Sequence, residues 1–415
     1  MFRALRHRNY RLHFFGQLLS FTGSWIQNVA QGWLVYELTH SAFWLGLIGF
    51  LNFLPISLFS LVGGSIADRF SKRRLLLMTQ VAAMVLALLF AALVWTGAVR
   101  IGWIGIWVFG FGVANAFEIP TRQAFVIELV GKEDLMNGIA LNSAIFNIAR
   151  LLGPAIGAAV IATLGIGWCL FLNGLSYLAV IGSLLAMRFP NQLPRPTPAE
   201  SLFRSIREIF LYIRQTRPVY GLLILVGTMT IFGWSFSILM PVFAAEILQG
   251  GAIALGKLMS ASGLGALAGA LFVAGLGHRF VPRRLLFAGL TIFTIAISIF
   301  ALSKTLVLSL ILMVIAGFGI ILFYVNANNA LQRRVPDHLR GRIMGMYAFA
   351  FGGLTPVGSL QAGFISEKFG APSALIMGAI ICVLAAYLIS RMVPPQPREP
   401  QEKISPIPRL QMPDV

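Results

Sequence analysis

Three charged side chains lie inside stretches of sequence that are otherwise apolar. Glu118 and Arg122 are four residues apart, a spacing that places both side chains on one face of a helix. Arg150 lies about 14 residues into the next apolar stretch, and therefore near the middle of a helix that crosses a bilayer. Charge at that depth is costly, so these residues are the first candidates for a functional role.

An arginine at mid-membrane needs a partner, and we expect a carboxylate or a carbonyl oxygen beside Arg150. Glu118 is the nearest acid if the helices that carry the two residues are neighbours. We hypothesise that protonation of Glu118 releases Arg150 or Arg122, which would make this group a proton-linked switch. A permanent ion pair that only positions the two helices fits the same residues.

Membrane helices are the elements that must position these residues. Hydrophobic residues make up 58% of the 415-residue chain. Twelve apolar stretches are long enough to cross a hydrocarbon core of about 30 Å as helices, which satisfy their own backbone polar groups. The predicted spans are 12–37, 43–66, 75–97, 101–123, 136–160, 166–188, 219–245, 253–276, 284–302, 306–329, 343–366 and 371–392.

Basic residues are distributed unevenly between the predicted loops. The net charge is +18, which by itself would suit a nucleic-acid-binding protein. If the N-terminus is cytoplasmic, nearly all of the 32 Lys and Arg residues fall on the cytoplasmic side; the exceptions are Arg150 within a span and Arg100, Lys257, Lys304 and Lys368 outside. The positive-inside rule explains this distribution, so we expect membrane lipids as partners and no nucleic acid.

The polar residues offer little for enzyme chemistry. Cys169 and Cys382 stand alone in separate spans, and the five histidines lack the spacing of metal ligands. The sequence has no nucleophile–base pair and no Gly-rich phosphate loop of the Walker type. We therefore expect no enzyme activity, no metal and no cofactor, and an energy source other than ATP hydrolysis by this chain.

Two basic loops indicate that the chain is internally duplicated. The stretch GSIADRFSKRRLL, between spans two and three, is echoed by GLGHRFVPRRLL, between spans eight and nine. His278 stands in the second copy where Asp68 stands in the first, and the arginines that recur are Arg69, Arg73 and Arg74 as Arg279, Arg283 and Arg284. Duplication of a six-helix unit predicts an all-α membrane protein with two pseudo-symmetric six-helix bundles in the same orientation.

The composition between and after the bundles sets the predicted domain boundaries. Residues 1–188 and 219–393 are the two bundles. Residues 189–218 begin with prolines and continue with apolar residues at helical spacing among arginines, which predicts a cytoplasmic linker with an amphipathic helix. Residues 394–415 are proline-rich, so we expect a disordered cytoplasmic tail.

The twelve spans with a basic loop after the second resemble the major facilitator superfamily of secondary transporters. In that family the loop reads Gly-x-x-x-Asp-Arg/Lys-x-Gly-Arg-Lys; Ser71 replaces the second glycine here, and the residues that match are Gly64, Asp68, Arg69, Lys72 and Arg73. The resemblance implies that Asp68 and its basic partners form a conformational latch during alternating access. Positive-inside topology alone accounts for Lys72 and Arg74.

Two longer stretches resemble one branch of that superfamily. Residues 16–46 and 114–158 are similar to the enterobactin exporters and macrolide efflux proteins, also called transmembrane secretion effectors. Antiporters of the superfamily carry a Gly-rich motif in helix five, of which Gly153, Pro154 and Gly157 are present. The resemblance therefore implies export by proton antiport, although close helix packing would use the same small residues.

Uncharged polar and aromatic side chains are candidates for a substrate cavity between the bundles. They occur in spans one, four, five, seven and ten and are Gln27, Asn28, Gln31, Asn115, Asn147, Trp234, Asn326 and Asn329. Such a lining suits an amphipathic organic molecule, such as a siderophore, a macrolide or another drug, better than a sugar or a small ion. For the asparagines of span ten, helix packing is a competing interpretation.

Together, the residues and the resemblance predict a secondary active transporter that exports a small-molecule substrate in exchange for protons. We expect a monomeric, multi-pass protein of the bacterial cytoplasmic membrane with both termini in the cytoplasm. Two alternatives share this layout. A lysophospholipid flippase would have the same fold, and a membrane sensor would bind a ligand without transporting it.

Overall fold

The computed structural model describes residues 2–188 and 212–393, which form a bundle of membrane helices without β-strands in these ranges. The first six helices are α1 (Arg8–Thr39), α2 (Ala42–Arg69), α3 (Lys72–Trp95), α4 (Ile101–Val130), α5 (Leu135–Thr163) and α6 (Ile166–Ala186). We call them the N-terminal group. The expected all-α fold is confirmed.

The next six helices form the C-terminal group, and two of them are irregular. Four are continuous: α8 (Gly251–Leu276), α9 (Pro282–Leu302), α10 (Leu306–Gln332) and α12 (Ala371–Ser390). Helix α7 consists of the segments Arg217–Thr228, Met229–Gly233, Phe236–Val242 and Phe243–Ile247, of which the second and fourth are π-helical. Helix α11 consists of Asp337–Ala348, a π-helical turn at Phe349–Gly353, and Thr355–Phe369.

The predicted spans correspond to these helices, with two differences. Eleven described helices are long and apolar enough to cross a membrane. Helix α1, which corresponds to the first of the twelve predicted spans, is not among these eleven. Its 32 residues suffice in length, but glutamines and asparagines lower its hydropathy. Helix α4 runs past its predicted end at residue 123 and ends at Val130, because Gly131, with a φ of 72°, breaks the helix. The predicted tail and most of the predicted linker helix lie outside the described residues.

Successive helices cross in alternate directions, which gives the molecule two faces. One face carries the N-terminus and the connections α2–α3, α4–α5, α8–α9 and α10–α11. Most of the basic residues lie there, and we call it the basic face. The face with the connections α1–α2, α3–α4, α5–α6, α7–α8, α9–α10 and α11–α12 is called the opposite face.

The two groups of helices make their tightest contacts toward the opposite face. A Cβ atom on Gly46 of α2 would lie 2.8 Å from the Cα atom of Gly363 on α11, and a Cβ atom on Gly256 of α8 would lie 2.5 Å from the carbonyl oxygen of Pro154 on α5. Only glycine permits such close backbone contact without displacement. The α2–α11 and α5–α8 pairs therefore close the molecule on this side.

Polar contacts reinforce this closure. The hydroxyl of Tyr36, at the end of α1, donates to Glu246 on α7 over 2.9 Å. Glu367, at the end of α11, accepts hydrogen bonds from the Ser41 hydroxyl at 3.0 Å and from the Phe43 amide at 3.1 Å. Each of these contacts joins the N-terminal group to the C-terminal group, so opening the opposite face requires all of them to break.

We predict that Gly46→Leu separates α2 from α11, because no side chain fits against Gly363. The change is measured by labelling Ser359→Cys, a buried position on α11 beside Gly49, with a maleimide in a background without Cys169 and Cys382. Labelling should become several-fold faster. Gly182→Leu is the control, because a Cβ there meets no atom within 4 Å. Equal labelling rates in both variants would contradict the prediction.

Candidate functional site

Glu118 and Arg122 form an ion pair on α4. The Arg122 Nε atom lies 2.7 Å from the Glu118 Oε1 atom, and the two side chains are 17% and 11% exposed. The Arg122 guanidinium also lies 4.7 Å from the ring centroid of Phe21 on α1. Because the pair is largely desolvated, removal of one partner alone would cost about 3–5 kcal/mol.

Arg150 lies between the two groups of helices and has different partners from those expected. Its guanidinium lies 6.0 Å from the ring centroid of Trp25 on α1 and 5.4 Å from that of Trp234 on α7. A terminal nitrogen makes a long hydrogen bond of 3.5 Å to the Ser262 hydroxyl on α8. The side chain therefore reaches across from the N-terminal group to the C-terminal group.

This arrangement corrects the expectation that a carboxylate or a carbonyl group accompanies Arg150. Among the described residues no acid lies within ion-pair distance of Arg150, and Glu118 is paired with Arg122 instead. Arg150 is nonetheless only 6% exposed. Two desolvated cation–π contacts, at about 1–2 kcal/mol each, offset much of the ~2.5–3.5 kcal/mol that a central arginine costs.

Trp234 continues into an aromatic cluster within the C-terminal group, which we define as Trp234, Tyr324, Tyr347 and Phe351. The Trp234 ring centroid lies 6.0 Å from that of Tyr324 and 6.2 Å from that of Phe351. Tyr347 stacks on Phe351 at 6.3 Å, and its hydroxyl donates to the Tyr324 carbonyl oxygen over 3.0 Å. Edge-to-face and stacked rings hold this cluster in a defined geometry.

Two π-helical turns position the cluster. Trp234 directly follows the turn Met229–Gly233 of α7, and Phe351 lies within the turn Phe349–Gly353 of α11. A π-helical turn inserts an extra residue into a helix and is common at functional sites. Trp234 is among the residues predicted from the sequence to line the cavity, and the other three are not, because nothing in the helical periodicity distinguishes them from packing residues.

The predicted cavity residues separate into two sets. Gln27 is buried between α1 and α6, where its side-chain oxygen accepts a hydrogen bond from Asn173, and Asn326 donates to the Leu322 carbonyl oxygen of its own helix over 2.8 Å. For these two the lining role is corrected to helix packing. The structure leaves five others exposed or half-buried: Asn28, Gln31, Asn115, Asn147 and Asn329.

The helix-five motif lies against α1. A Cβ atom on Gly157 would lie 3.1 Å from the Cα atom of Ile26, and one on Gly153 would collide with Trp25. Helix α5 continues through Pro154, whose carbonyl oxygen faces Gly256 of α8. Close packing of α5 between α1 and α8 therefore requires these small residues, and this packing also places Arg150 beside Trp25.

The basic loop after α2 makes two described contacts. Lys72 forms an ion pair of 2.7 Å with Glu128 on α4. Arg73 donates to the last carbonyl oxygens of α6, over 2.7 Å to Leu184 and 3.1 Å to Leu185. A Cβ on Gly64 would meet no atom within 4 Å, and the side chains of Asp68 and Arg69 lie outside the described part of the structure.

The second basic loop reproduces the arginine contact of the first. Arg283 donates to the Val393 carbonyl oxygen over 2.6 Å and to that of Ser390 over 2.9 Å, at the end of α12. Arg73 and Arg283 therefore cap the sixth helix of their own group, where a cation also complements the helix dipole. Their neighbours Arg74 and Arg284 are exposed.

We predict that Arg73→Gln and Arg283→Gln each destabilise the protein by about 1.5–3 kcal/mol, because charge-assisted hydrogen bonds to helix-end carbonyl oxygens are lost. Arg74→Gln and Arg284→Gln are the matched controls and should change stability by less than about 0.5 kcal/mol. Thermal unfolding in detergent measures all four variants. Equal effects within each neighbouring pair would show that only net charge matters.

The fold and the site define a transporter of the major facilitator type, a multi-pass membrane protein rather than an enzyme. The model of the transmembrane secretion effector family matches residues 1–414, and the chain belongs to that family. In the described ranges no group of three or more His, Cys, Asp and Glu residues could hold a metal ion.

Individual relatives and solved structures agree with this assignment. The chain is 25% identical over 390 residues to the staphyloferrin A transporter of Staphylococcus aureus, covering 91% of this chain and 95% of the relative. It is 26% identical over 409 residues to the enterobactin exporter EntS of Escherichia coli O1:K1, covering 94% and 95%. A bacterial homologue of the human lysosomal transporter Spinster, crystallised inward-facing and unoccupied, has the same fold at a TM-score of 0.71 and 15% identity, covering 93% and 98%.

Proposed function

We propose that this protein exports an amphipathic organic molecule of the siderophore class across the bacterial cytoplasmic membrane in exchange for protons. The observation that carries the proposal is the position of Arg150, a buried cation held between the two groups of helices by an indole from each. A group at that place can contact a substrate and both halves of the transporter together.

The class of substrate is supported from two directions. The relatives named above handle staphyloferrin A and enterobactin, both siderophores. The aromatic cluster, together with half-buried amides such as Asn147, offers apolar surface with a few hydrogen-bonding groups. Binding sites for organic molecules combine these two features.

The closure at one face supports transport by alternating access. We place the basic face in the cytoplasm, in accordance with the positive-inside rule, and with it both termini. The glycine contacts of α2–α11 and α5–α8 then seal the outer side, and exposed apolar side chains such as Phe146 and Phe349 lie toward the cytoplasm. Outward opening would break the outer contacts and close the cytoplasmic side.

Proton coupling is assigned to Glu118. Its carboxylate is the acid of a buried ion pair, and protonation would remove the attraction for Arg122 and leave a buried cation. Such a change biases any equilibrium between two conformations in which Arg122 is differently solvated. Of the two partners considered from the sequence, the geometry supports Arg122 rather than Arg150.

The direct test uses inside-out membrane vesicles energised to acidify the lumen, with a pH-sensitive dye. Siderophores, macrolides, cationic dyes and lysolipids are added in turn. We expect a siderophore to discharge the gradient with the wild-type protein and not with Glu118→Gln. Glu133→Gln, an exposed acid in the α4–α5 connection, is the matched control and should behave as the wild type does. If none of the compounds that bind the protein discharges the proton gradient, proton antiport is contradicted.

A double variant separates coupling from a permanent ion pair. Glu118→Gln should lower thermal stability by leaving Arg122 unpaired, and Glu118→Gln with Arg122→Gln should restore much of that loss. Proton exchange should remain absent in both. If the double variant exchanges protons at the wild-type rate, the pair serves only to position helices.

A further inference from the structure

We propose that Arg150 is a binding site for an anionic group of the substrate, so that the transported molecule is an amphipathic anion. The preferred ligand is a carboxylate, or a similar oxyanion, attached to an aromatic or otherwise apolar body. This inference rests on the proposed function and specifies the substrate class for the same site.

The hydrogen-bonding capacity of Arg150 is almost unused within the described structure. A guanidinium has five N–H donors in a planar fork that matches the two oxygens of a carboxylate. The contacts of Arg150 comprise one long hydrogen bond to Ser262 and the faces of two indole rings. The indole faces stabilise the positive charge, but they accept weaker hydrogen bonds from the in-plane N–H groups than an oxyanion would.

Comparison with two other arginines of the N-terminal group supports this assignment. Arg122 is neutralised by Glu118 at 2.7 Å, and Arg73 is occupied by two helix-end carbonyl oxygens. Arg150 is buried to a similar extent as Glu118, at 6% and 9% exposure, but no acid of the described ranges forms an ion pair with it. Within the described contacts, the positive charge of Arg150 is therefore available to an incoming anion.

The surroundings of Arg150 select for more than charge. Trp25 contacts Phe146 at 5.9 Å in the N-terminal group, and Trp234 contacts Phe351 at 6.2 Å in the C-terminal group. An anion that reaches the guanidinium would have aromatic surface on both sides. A small inorganic anion would use only the charge, whereas an aromatic carboxylate would use the rings as well.

The location also links binding to conformational change. Arg150 and Trp25 belong to the N-terminal group, whereas Trp234 and Ser262 belong to the C-terminal group. The Arg150 carbonyl oxygen packs against Gly263 in the α5–α8 contact. An anion at Arg150 therefore contacts both groups at the place where they must separate during outward opening, and it can favour one arrangement over the other.

The test compares two probes of nearly equal shape, 2-naphthoate and its uncharged amide 2-naphthamide. Their binding to the full-length protein in detergent is measured by calorimetry. We expect wild-type protein to bind the carboxylate about tenfold or more tightly than the amide, because charge-assisted hydrogen bonds are made only to the former. Arg150→Gln should bind both probes equally, and Arg150→Lys should retain part of the preference.

The controls exclude unfolding and general electrostatics. Arg150→Gln leaves no unpaired acid behind among the described residues, so its thermal stability should stay close to that of the wild type. Arg100→Gln removes an exposed charge at the opposite face and should leave the preference for naphthoate unchanged. Sodium chloride, at a concentration equal to that of naphthoate, should not displace naphthoate.

Three results would overturn the inference. These are equal binding of the two probes by the wild type, a preference that survives in Arg150→Gln, or displacement by equimolar chloride, which would show a site for inorganic anions only. The binding assay needs no proton gradient. Proton-coupled flux without an anion preference would therefore refute this inference alone, and an anion preference without flux would refute the proposed transport function alone.

Discussion

A buried guanidinium at the contact between two groups of helices is the constraint on which the rest of the structure depends. Arg150 can occupy that place because Gly153 and Gly157 bring α5 against α1, which places Trp25 beside it, and because Gly263 brings α8 against α5. The π-helical turn of α7 places Trp234 on the other side.

The two groups of helices share helix-capping contacts, but they differ in their buried charged and aromatic residues. Arg73 and Arg283 cap equivalent helices in the two groups with equivalent hydrogen bonds. By contrast, the buried ion pair and Arg150 belong to the N-terminal group, and the aromatic cluster belongs to the C-terminal group. The two groups therefore differ in the side chains that they place around Arg150.

The helices were predictable from the sequence, and the partners of the charged residues were not. Apolar length and the distribution of basic residues depend on local sequence, so they predicted the spans and the six-helix repeat. The spacing of Glu118 and Arg122 likewise predicted a pair within one helix. Glu118 was considered as a partner of Arg150 because helical periodicity shows which face of a helix carries a residue, but not which neighbouring helix packs against that face. The same limit led to the lining role first given to Gln27 and Asn326, which the structure places in helix contacts.

The proposed mechanism requires two arrangements of the N-terminal and C-terminal groups of helices, and an equilibrium between them that Glu118 controls. The most direct measurement is the distance between spin labels at Thr163→Cys and Ile253→Cys, exposed positions near the opposite-face ends of α5 and α8, by pulsed electron paramagnetic resonance in a background without Cys169 and Cys382. We expect a short and a longer distance whose proportions change in Glu118→Gln. A single distance, identical with and without that substitution, would contradict it.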